Sequence, residues 1–283
     1  MMGIPRLPVG EVFSDLVEYL RVSWKGFFGG IRDVIEFLID GIEGLVSIPP
    51  FWVFAILIAL IAWKRSGKGL AIFSLLGILF IEILDLWPET QSTLALVITA
   101  TLIALVLGIP LGILSAKFKP VSTVIRPVLD LMQTMPAFVY LIPAVLFFRI
   151  GPVPAAISTI IFSMPPVIRL TDLGIRQVPE ELIEAGEAFG SVWHQMLFKI
   201  QLPLAMSTIM AGVNQCIMLA LSMVVIASMI GAGGLGSVVL TGVQSLNVGM
   251  AFEGGLAVVV IAIILDRLTQ GKSQNELKKK ESN

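Results

Sequence analysis

Long apolar segments alternate with short polar ones along most of the chain. A segment that crosses a bilayer as a helix needs about 20 mainly apolar residues. Seven segments satisfy this requirement, and each predicts a transmembrane helix: 44–63, 69–87, 92–117, 128–148, 153–170, 203–230 and 249–265. The first has Pro49 and Pro50 near its start, and proline disrupts a helix interior.

Residues 11–45 follow a different pattern. Apolar residues such as Leu16 and Leu20 recur there at three- and four-residue steps, while charged residues such as Asp15 and Glu36 fill the other side. This pattern is typical of an amphipathic helix that lies in the membrane interface. The alternative is a helix that packs against the spans of its own or a neighbouring subunit.

The composition also indicates a membrane protein. The 283 residues are 56% hydrophobic and 14% charged, whereas soluble chains carry about a quarter charged residues. A net charge of −1 gives no reason to expect a nucleic-acid partner. With one cysteine, Cys216, and one histidine, His194, we expect no metal site. No nucleophile, base and orienting group assemble in the sequence, so we expect no catalytic residue.

The basic residues predict an orientation. Alternating the seven spans from an external N-terminus places most lysines and arginines on one side, including Lys64, Lys117 and Arg176, and places Glu82 and Asp85 on the other. Loops on the cytoplasmic side of a membrane carry an excess of Lys and Arg. We therefore expect the N-terminus outside, the C-terminus in the cytoplasm, and residues 171–202 in the cytoplasm.

Residues 181–203 form the one long polar segment in the apolar C-terminal half. Pro179 suits a first helical turn, and Gly190 can adopt the left-handed conformation that ends a helix. Ser191 can then cap a second helix, which re-enters apolar sequence at Pro203. Such a segment lies outside the bilayer and can dock onto a partner, where we expect Trp193 to fill a groove of that partner.

The same segment resembles the EAA motif, E-A-A-x3-G-x9-I-x-L-P, of bacterial ABC importer permeases. The resemblance implies that the residues at the motif positions couple the chain to an ATPase. They are Glu184, Ala185, Gly186, Gly190, Ile200, Leu202 and Pro203. Only Gly186 departs from the pattern, because alanine is usual there. Glycine loosens a helix by up to ~1 kcal/mol relative to alanine.

The resemblance implies an all-α integral membrane protein of the bacterial cell membrane with a type I ABC importer permease fold. About seven transmembrane helices are expected, five of them in the core, plus the N-terminal amphipathic helix. We divide the chain into four regions. They are the amphipathic region 1–43, two accessory spans in 44–88, the permease core 89–268 with its coupling loop at 171–202, and a cytoplasmic polar tail at 269–283.

Two further stretches resemble permeases for glycine betaine and other quaternary amines. They are residues 130–143 with the turn at 151–154, and the glycine-rich segment 230–236. The resemblance implies an osmoprotectant importer with glycine betaine as cargo. Choline, carnitine, proline or an amino acid remain alternatives, as does a self-contained channel or secondary transporter. That other class usually shows repeated halves or charges deep in several spans, and neither is visible.

Two glycine-containing segments resemble nucleotide-binding motifs, but the residues around them do not fit such motifs. Residues 231–236 fit the dinucleotide fingerprint but follow an apolar helix instead of a strand. Residues 271–273 would complete a phosphate loop only if Asp266 were glycine. We therefore expect this chain to bind no cofactor. The resemblance implies a second copy of the chain, two ATPase subunits that use ATP and Mg²⁺, an extracellular binding protein, and membrane lipid as partners.

Polar and helix-breaking residues inside the predicted spans are candidates for a translocation path. Polar groups in hydrocarbon face a bundle interior or a water-filled passage. For any single residue, hydrogen bonding between helices is the alternative. The candidates are Gln133, Thr134, Pro136, Ser163, Asn214 and Gln215.

Overall fold

The computed structural model describes residues 8–270, and all regular structure in that range is helical. Most of the predicted polar tail, 271–283, lies outside these residues. The helices are α1 (Val9–Ser23), α2 (Lys25–Ser47), α3 (Phe51–Ser66), α4 (Lys68–Ile83), α5 (Trp87–Lys117), α6 (Lys119–Thr134), α7 (Ala137–Phe148), α8 (Pro152–Ser163), α9 (Pro165–Arg176), α10 (Glu180–Ala188), α11 (Trp193–Met196), α12 (Leu202–Ser222), α13 (Val224–Ser228), α14 (Gly234–Gln244) and α15 (Val248–Gln270). A π-helical turn, Leu197–Gln201, joins α11 to α12.

The amphipathic N-terminal region forms two helices that separate at Trp24, where the backbone leaves helical geometry. Helix α2 packs against α5, α7 and α8 and buries Ile35 and Ile39. The alternative interpretation, packing against the chain's own spans, therefore holds for α2. Helix α1 instead exposes large apolar side chains such as Phe13 and Leu16, as expected for a helix in contact with lipid.

Four helical stretches are long and apolar enough to cross a membrane: Trp87–Lys117, Pro152–Arg176, Trp193–Ser222 and Val248–Gln270. Two bent pairs bring the number to six if each is one span. They are α2 with α3, bent by 96°, and α6 with α7, bent by 100°. The remaining predicted span, residues 69–87, is not among them. Helix α4 there has 16 residues and is shorter than the stretches counted above.

Prolines explain both bends. The first predicted span, 44–63, is interrupted at Pro49 and Pro50, so its apolar helix begins at Phe51. The fourth, 128–148, breaks at Met135, which takes the extended conformation that a following proline favours, and resumes after Pro136. Apolar length alone therefore predicted continuous helices where the backbone turns sharply.

Helix α9 forms the centre of the core, between α5 and α12. Small residues allow this close packing. A Cβ on Gly112 of α5 would lie 2.5 Å from the Cβ of Thr171, and one on Gly212 of α12 would lie 3.1 Å from the carbonyl oxygen of Pro166. Motion of α9 is therefore closely tied to both neighbours.

The glycine-rich segment 230–236 contains the turn between α13 and α14 and the first residues of α14. Gly231, Gly233 and Gly234 all have positive φ. Helix α14 then folds back along α15, where a Cβ on Gly242 would lie 2.5 Å from the backbone nitrogen of Ala251. The turn thus leads into a short apolar helix packed on the last span.

Candidate functional site

Helix α10 and the residues that follow it form the candidate coupling site. The helix begins after Pro179 with two acidic residues in its first turn, which complement the positive end of the helix dipole. At its other end Gly190 has φ +75°, its N–H donates to the carbonyl of Glu187 at 2.8 Å, and the N–H of Ser191 donates to the carbonyl of Gly186 at 3.0 Å. This is a Schellman termination. Gly190 therefore ends the helix as predicted, and its conformation disfavours other residues.

Gly186, the irregular position of the motif, is buried in a close contact. A Cβ at this position would lie 2.6 Å from the methyl carbon of Met196 and 3.0 Å from Cδ1 of Ile200. The missing side chain lets α10 approach the second half of the segment. In the sequence Gly186 was expected only to loosen the helix. In the structure it allows α10 to pack closely on Met196 and Ile200.

The second helix of the segment begins differently from the prediction. Its cap residue is Val192 instead of Ser191, and the N–H of Val192 donates to the side chain of Gln195 at 3.3 Å. Ser191 lies one residue before this cap position, since the helix begins at Trp193. From Trp193 the helix runs through the π turn into α12 as far as Ser222. The coupling segment and a core span are therefore one helical piece.

The motif residues divide into two groups. Glu184 and Ala185 are exposed on α10, as is Pro203 in the first turn of α12, whereas Ile200 and Leu202 are partly buried. The exposed acidic face of α10 is available to a partner. The partly buried residues hold the segment on its own chain.

Trp193 packs on its own chain through one face of its ring and is 46% exposed, so its docking into a groove of a partner stays a prediction. Its ring lies under the ammonium of Lys117 at 3.4 Å from Nζ to the ring centroid, which is a cation–π contact between α11 and the end of α5. The most exposed large apolar side chain of the segment is Phe189, which is 92% exposed beside Gly190 and is free to dock. Phe189 was not among the predicted site residues. Its position beside Gly190, as a large apolar residue in a polar segment, was a signal for it in the sequence.

Charged side chains tie the start of the coupling loop to the core. Asp172, which is 8% exposed, accepts a hydrogen bond from Nε of Arg176 at 2.6 Å, and the same arginine donates to the carbonyl of Ser115 on α5 at 2.6 Å. Arg169 pairs with Asp130 across α9 and α6 at 2.5 Å. The Asp172 to Arg176 spacing of four residues was a sequence signal for the first pair. The second joins distant segments and had none.

The six path candidates lie in different environments. Ser163 is fully buried at the junction of α8 and α9, and its hydroxyl has no hydrogen-bond partner within residues 8–270. Asn214 is partly buried. The remaining candidates are exposed at the α6–α7 break and on α12: Gln133, Thr134, Pro136 and Gln215. The role of all six residues in a translocation path remains a prediction.

Two exposed stripes distinguish α5 from α12. The α5 stripe is apolar and consists of Ile98, Leu102, Val106, Pro110 and Leu114. The α12 stripe is mainly small or polar and consists of Ser207, Ala211, Gln215, Met218 and Ser222. An apolar stripe suits lipid, whereas polar groups within a span face protein or water. Ser207 and Ser222 therefore extend the set of path candidates around Gln215.

Comparisons with known proteins agree with this architecture. Residues 108–271 match the family model described as binding-protein-dependent transport system inner membrane component. Over 270 residues the chain is 49% identical to the glycine betaine transport system permease protein OpuAB of Bacillus subtilis, covering 95% of this chain and 96% of that protein. It is 52% identical over 274 residues to the glycine betaine/carnitine transport permease protein GbuB of Listeria monocytogenes, with coverages of 95% and 97%.

A third relative is the glycine betaine/proline betaine transport system permease protein ProW of Escherichia coli, 50% identical over 93% of this chain and 75% of that protein. Among solved structures, a chain of the inward-facing MetNI methionine ABC transporter matches with a TM-score of 0.55 at 23% identity, covering 67% of this chain and 93% of that chain. The resemblance to importer permeases is thus confirmed. The chain belongs to the family of inner membrane components of binding-protein-dependent transport systems and has the type I ABC importer permease fold.

Proposed function

We propose that this chain is the membrane permease subunit of an ATP-driven importer of glycine betaine or a related quaternary-ammonium osmoprotectant. Three relatives, each at least 49% identical over most of this chain, carry glycine betaine in their names. Carnitine and proline betaine also occur in those names, and trimethylamine N-oxide occurs in that of a relative at 36% identity. All these cargoes are small and highly polar. Choline, proline and an amino acid are retained as alternatives.

In this proposal two copies of the chain form the path, and two ATP-binding subunits dock on the paired α10 helices. An extracellular binding protein delivers the cargo. The N-terminus lies outside and the C-terminus in the cytoplasm, because the basic residues then follow the positive-inside rule. ATP and Mg²⁺ are bound by the ATPase subunits and not by this chain.

The observation that supports coupling at α10 is its packing against the helical segment that continues into the core. Gly190 fixes its end, Gly186 fits it against Met196, and the following helix continues into α12. The contact between Trp193 and Lys117 joins the same segment to α5. Closure of the ATPase pair pulls the two α10 segments together and moves α5, α9 and α12 from an inward-open to an outward-open arrangement. Hydrolysis then resets them.

The alternative of another class, a self-contained channel or secondary transporter, makes a different prediction. It would move cargo without an ATPase. The exposed acidic face of α10, with the exposed apolar side chains of Leu182 and Phe189 near it, has no role in such a protein. A docking surface for a second protein explains that face directly.

The test is uptake of labelled glycine betaine into vesicles that contain the full chain, the ATPase subunits and the binding protein. We expect uptake with ATP and none with a non-hydrolysable analogue or without the binding protein. Unlabelled carnitine, choline, proline betaine and proline, added one at a time, rank the alternative cargoes by competition. Uptake that persists without ATP contradicts the proposal.

A further inference from the structure

A cationic cavity lies between the N-terminal helices and the end of α7. Its volume is about 450 Å³, and Arg21, Lys25 and Arg149 line it together with apolar residues. Arg21 pairs with Glu18 at 2.6 Å. Within residues 8–270, neither Lys25 nor Arg149 has a carboxylate within 4.0 Å. The cavity therefore carries net positive charge that the described chain leaves largely uncompensated.

An apolar groove of about 400 Å³ adjoins this cavity. Helices α2, α5, α7 and α8 form its walls, with side chains such as Ile31, Leu107 and Ile161. Tyr140 is the one lining residue with a polar side-chain atom, and its hydroxyl donates to the carbonyl of Met132 at 2.7 Å. The groove therefore offers no free polar group and suits a hydrocarbon.

The cavity and the groove meet at one pair of rings. Phe28 of α2 and Phe147 of α7 line both, and their rings stack with centroids 4.3 Å apart. From Phe147 to Tyr140 the groove follows α7 for about 10 Å, at 1.5 Å per residue. A ligand that occupies both spaces must be anionic at one end and apolar along the other.

The backbone at Arg149 provides an independent indication. This residue has φ +67° and ψ 179°, a region that is essentially restricted to glycine. Such conformations persist only where the surroundings impose them, and they concentrate at functional sites. Here the next turn is held by the N–H of Gly151, which donates to the carbonyl of Ile230 at 2.9 Å. The strained residue holds its guanidinium at the cavity.

We propose that this chain binds one anionic phospholipid, with the phosphate headgroup among Arg21, Lys25 and Arg149 and one acyl chain in the groove. A net negative headgroup is favoured because a zwitterionic lipid would bring its ammonium group among three cations. A helix of a second copy, about 10–12 Å across, does not fit a groove of this volume. The lipid fastens the N-terminal helices to α7, and the site is independent of cargo and ATPase docking.

The headgroup arm of the test uses the full chain in detergent, mixed with vesicles of dioleoylphosphatidylglycerol or dioleoylphosphatidylcholine. Native mass spectrometry counts the lipid retained per chain. We expect one retained phosphatidylglycerol and weak retention of phosphatidylcholine. The variant Arg21→Gln, Lys25→Gln, Arg149→Gln should lower phosphatidylglycerol affinity on the order of 100-fold. The control variant Lys64→Gln, Lys68→Gln, Lys119→Gln, which neutralises exposed lysines elsewhere, should retain the lipid.

The acyl-chain arm places a larger side chain in the groove. Leu107→Trp fills it from its exposed side and should abolish retention, whereas Val106→Trp, at an exposed neighbouring position that does not line the groove, should not. Equal retention of both lipids, or retention by Leu107→Trp, overturns the proposal. So does disulfide formation between two chains carrying Leu107→Cys, because a second copy then covers the groove. Both tryptophan variants keep all three cations, so this arm remains decisive if the triple variant fails to fold.

Discussion

Helices α1 and α10 are both amphipathic and both lie at the edge of the core, but they expose opposite chemistry. Among the side chains of α1 that the structure describes, only Val17 is buried, and the exposed ones include Phe13, Leu16 and Tyr19. Helix α10 exposes acidic residues, and Phe189 after its end is the most exposed large apolar side chain of that segment. Amphipathic periodicity alone therefore does not identify the surroundings of a helix. The exposed side chains indicate lipid for α1 and a protein partner for α10.

The two helices also differ in how firmly they are held. Helix α10 is fixed by the left-handed Gly190 and by the contact of Gly186 with Met196. Helix α1 joins α2 at a break and has one buried side chain among those described. Changes to the backbone of α10 should therefore affect transport, whereas changes to the surface of α1 should affect attachment to lipid.

The largest effect is expected at Gly190. Replacement with valine places a β-branched residue at φ +75°, which costs at least about 1–2 kcal/mol and misdirects the second helix. We expect normal insertion, loss of uptake, and ATPase activity that no longer responds to the loaded binding protein. Gly67→Val is the matched control, since Gly67 has φ +98° in the turn between α3 and α4. Unchanged uptake by Gly190→Val would refute the coupling role.

A smaller effect is expected from Phe189→Ala. The side chain is 92% exposed, so its removal should leave the thermal midpoint unchanged. Exposed aromatic residues often anchor an interface, and we expect roughly tenfold weaker binding of the ATPase subunits. Phe37→Ala, at a 76% exposed position on α2, is the control and should bind them normally. Normal ATPase affinity of Phe189→Ala would exclude this residue from the docking surface.

Polar substitutions on α1 test the lipid side of the comparison. One variant carries three substitutions, Phe13→Asp, Leu16→Asp and Tyr19→Asp. It should detach α1 from the bilayer, because each apolar side chain contributes up to about 2 kcal/mol when buried. Limited proteolysis in vesicles should then cleave α1 several-fold faster, with little change in ATPase binding. Replacing Asp15 and Glu18 with asparagine and glutamine changes the polar side only and serves as the control. Equal cleavage rates would show that α1 does not lie on lipid.

The smallest effect is expected from Gly186→Ala. Alanine favours the helix by up to ~1 kcal/mol, but its Cβ would approach the methyl carbon of Met196 to 2.6 Å. Since that methyl group ends a flexible side chain, the two effects should nearly cancel and transport should persist. Gly186→Leu, which the site has no room for, should lower the thermal midpoint and uptake. Loss of uptake in the alanine variant would mean that Met196 cannot move.

Several features followed from local chemistry and could be predicted. Apolar length predicted the core spans, and the left-handed preference of glycine predicted the end of α10. Predictions from local patterns were wrong where a nearby residue changed the backbone or took the expected position. Pro49, Pro50 and Pro136 bend two predicted spans, and Val192 takes the capping position expected for Ser191.

The sequence by itself determined the fold class, the family and the end of helix α10 at Gly190, because these depend on apolar length, residue spacing and backbone preference. Only the tertiary structure decided which surfaces meet. It placed Trp193 on Lys117 and Arg169 on Asp130, and it joined the cavity at Arg149 to the apolar groove. The partners in these contacts are far apart in sequence, and no local periodicity encodes which helices pack together.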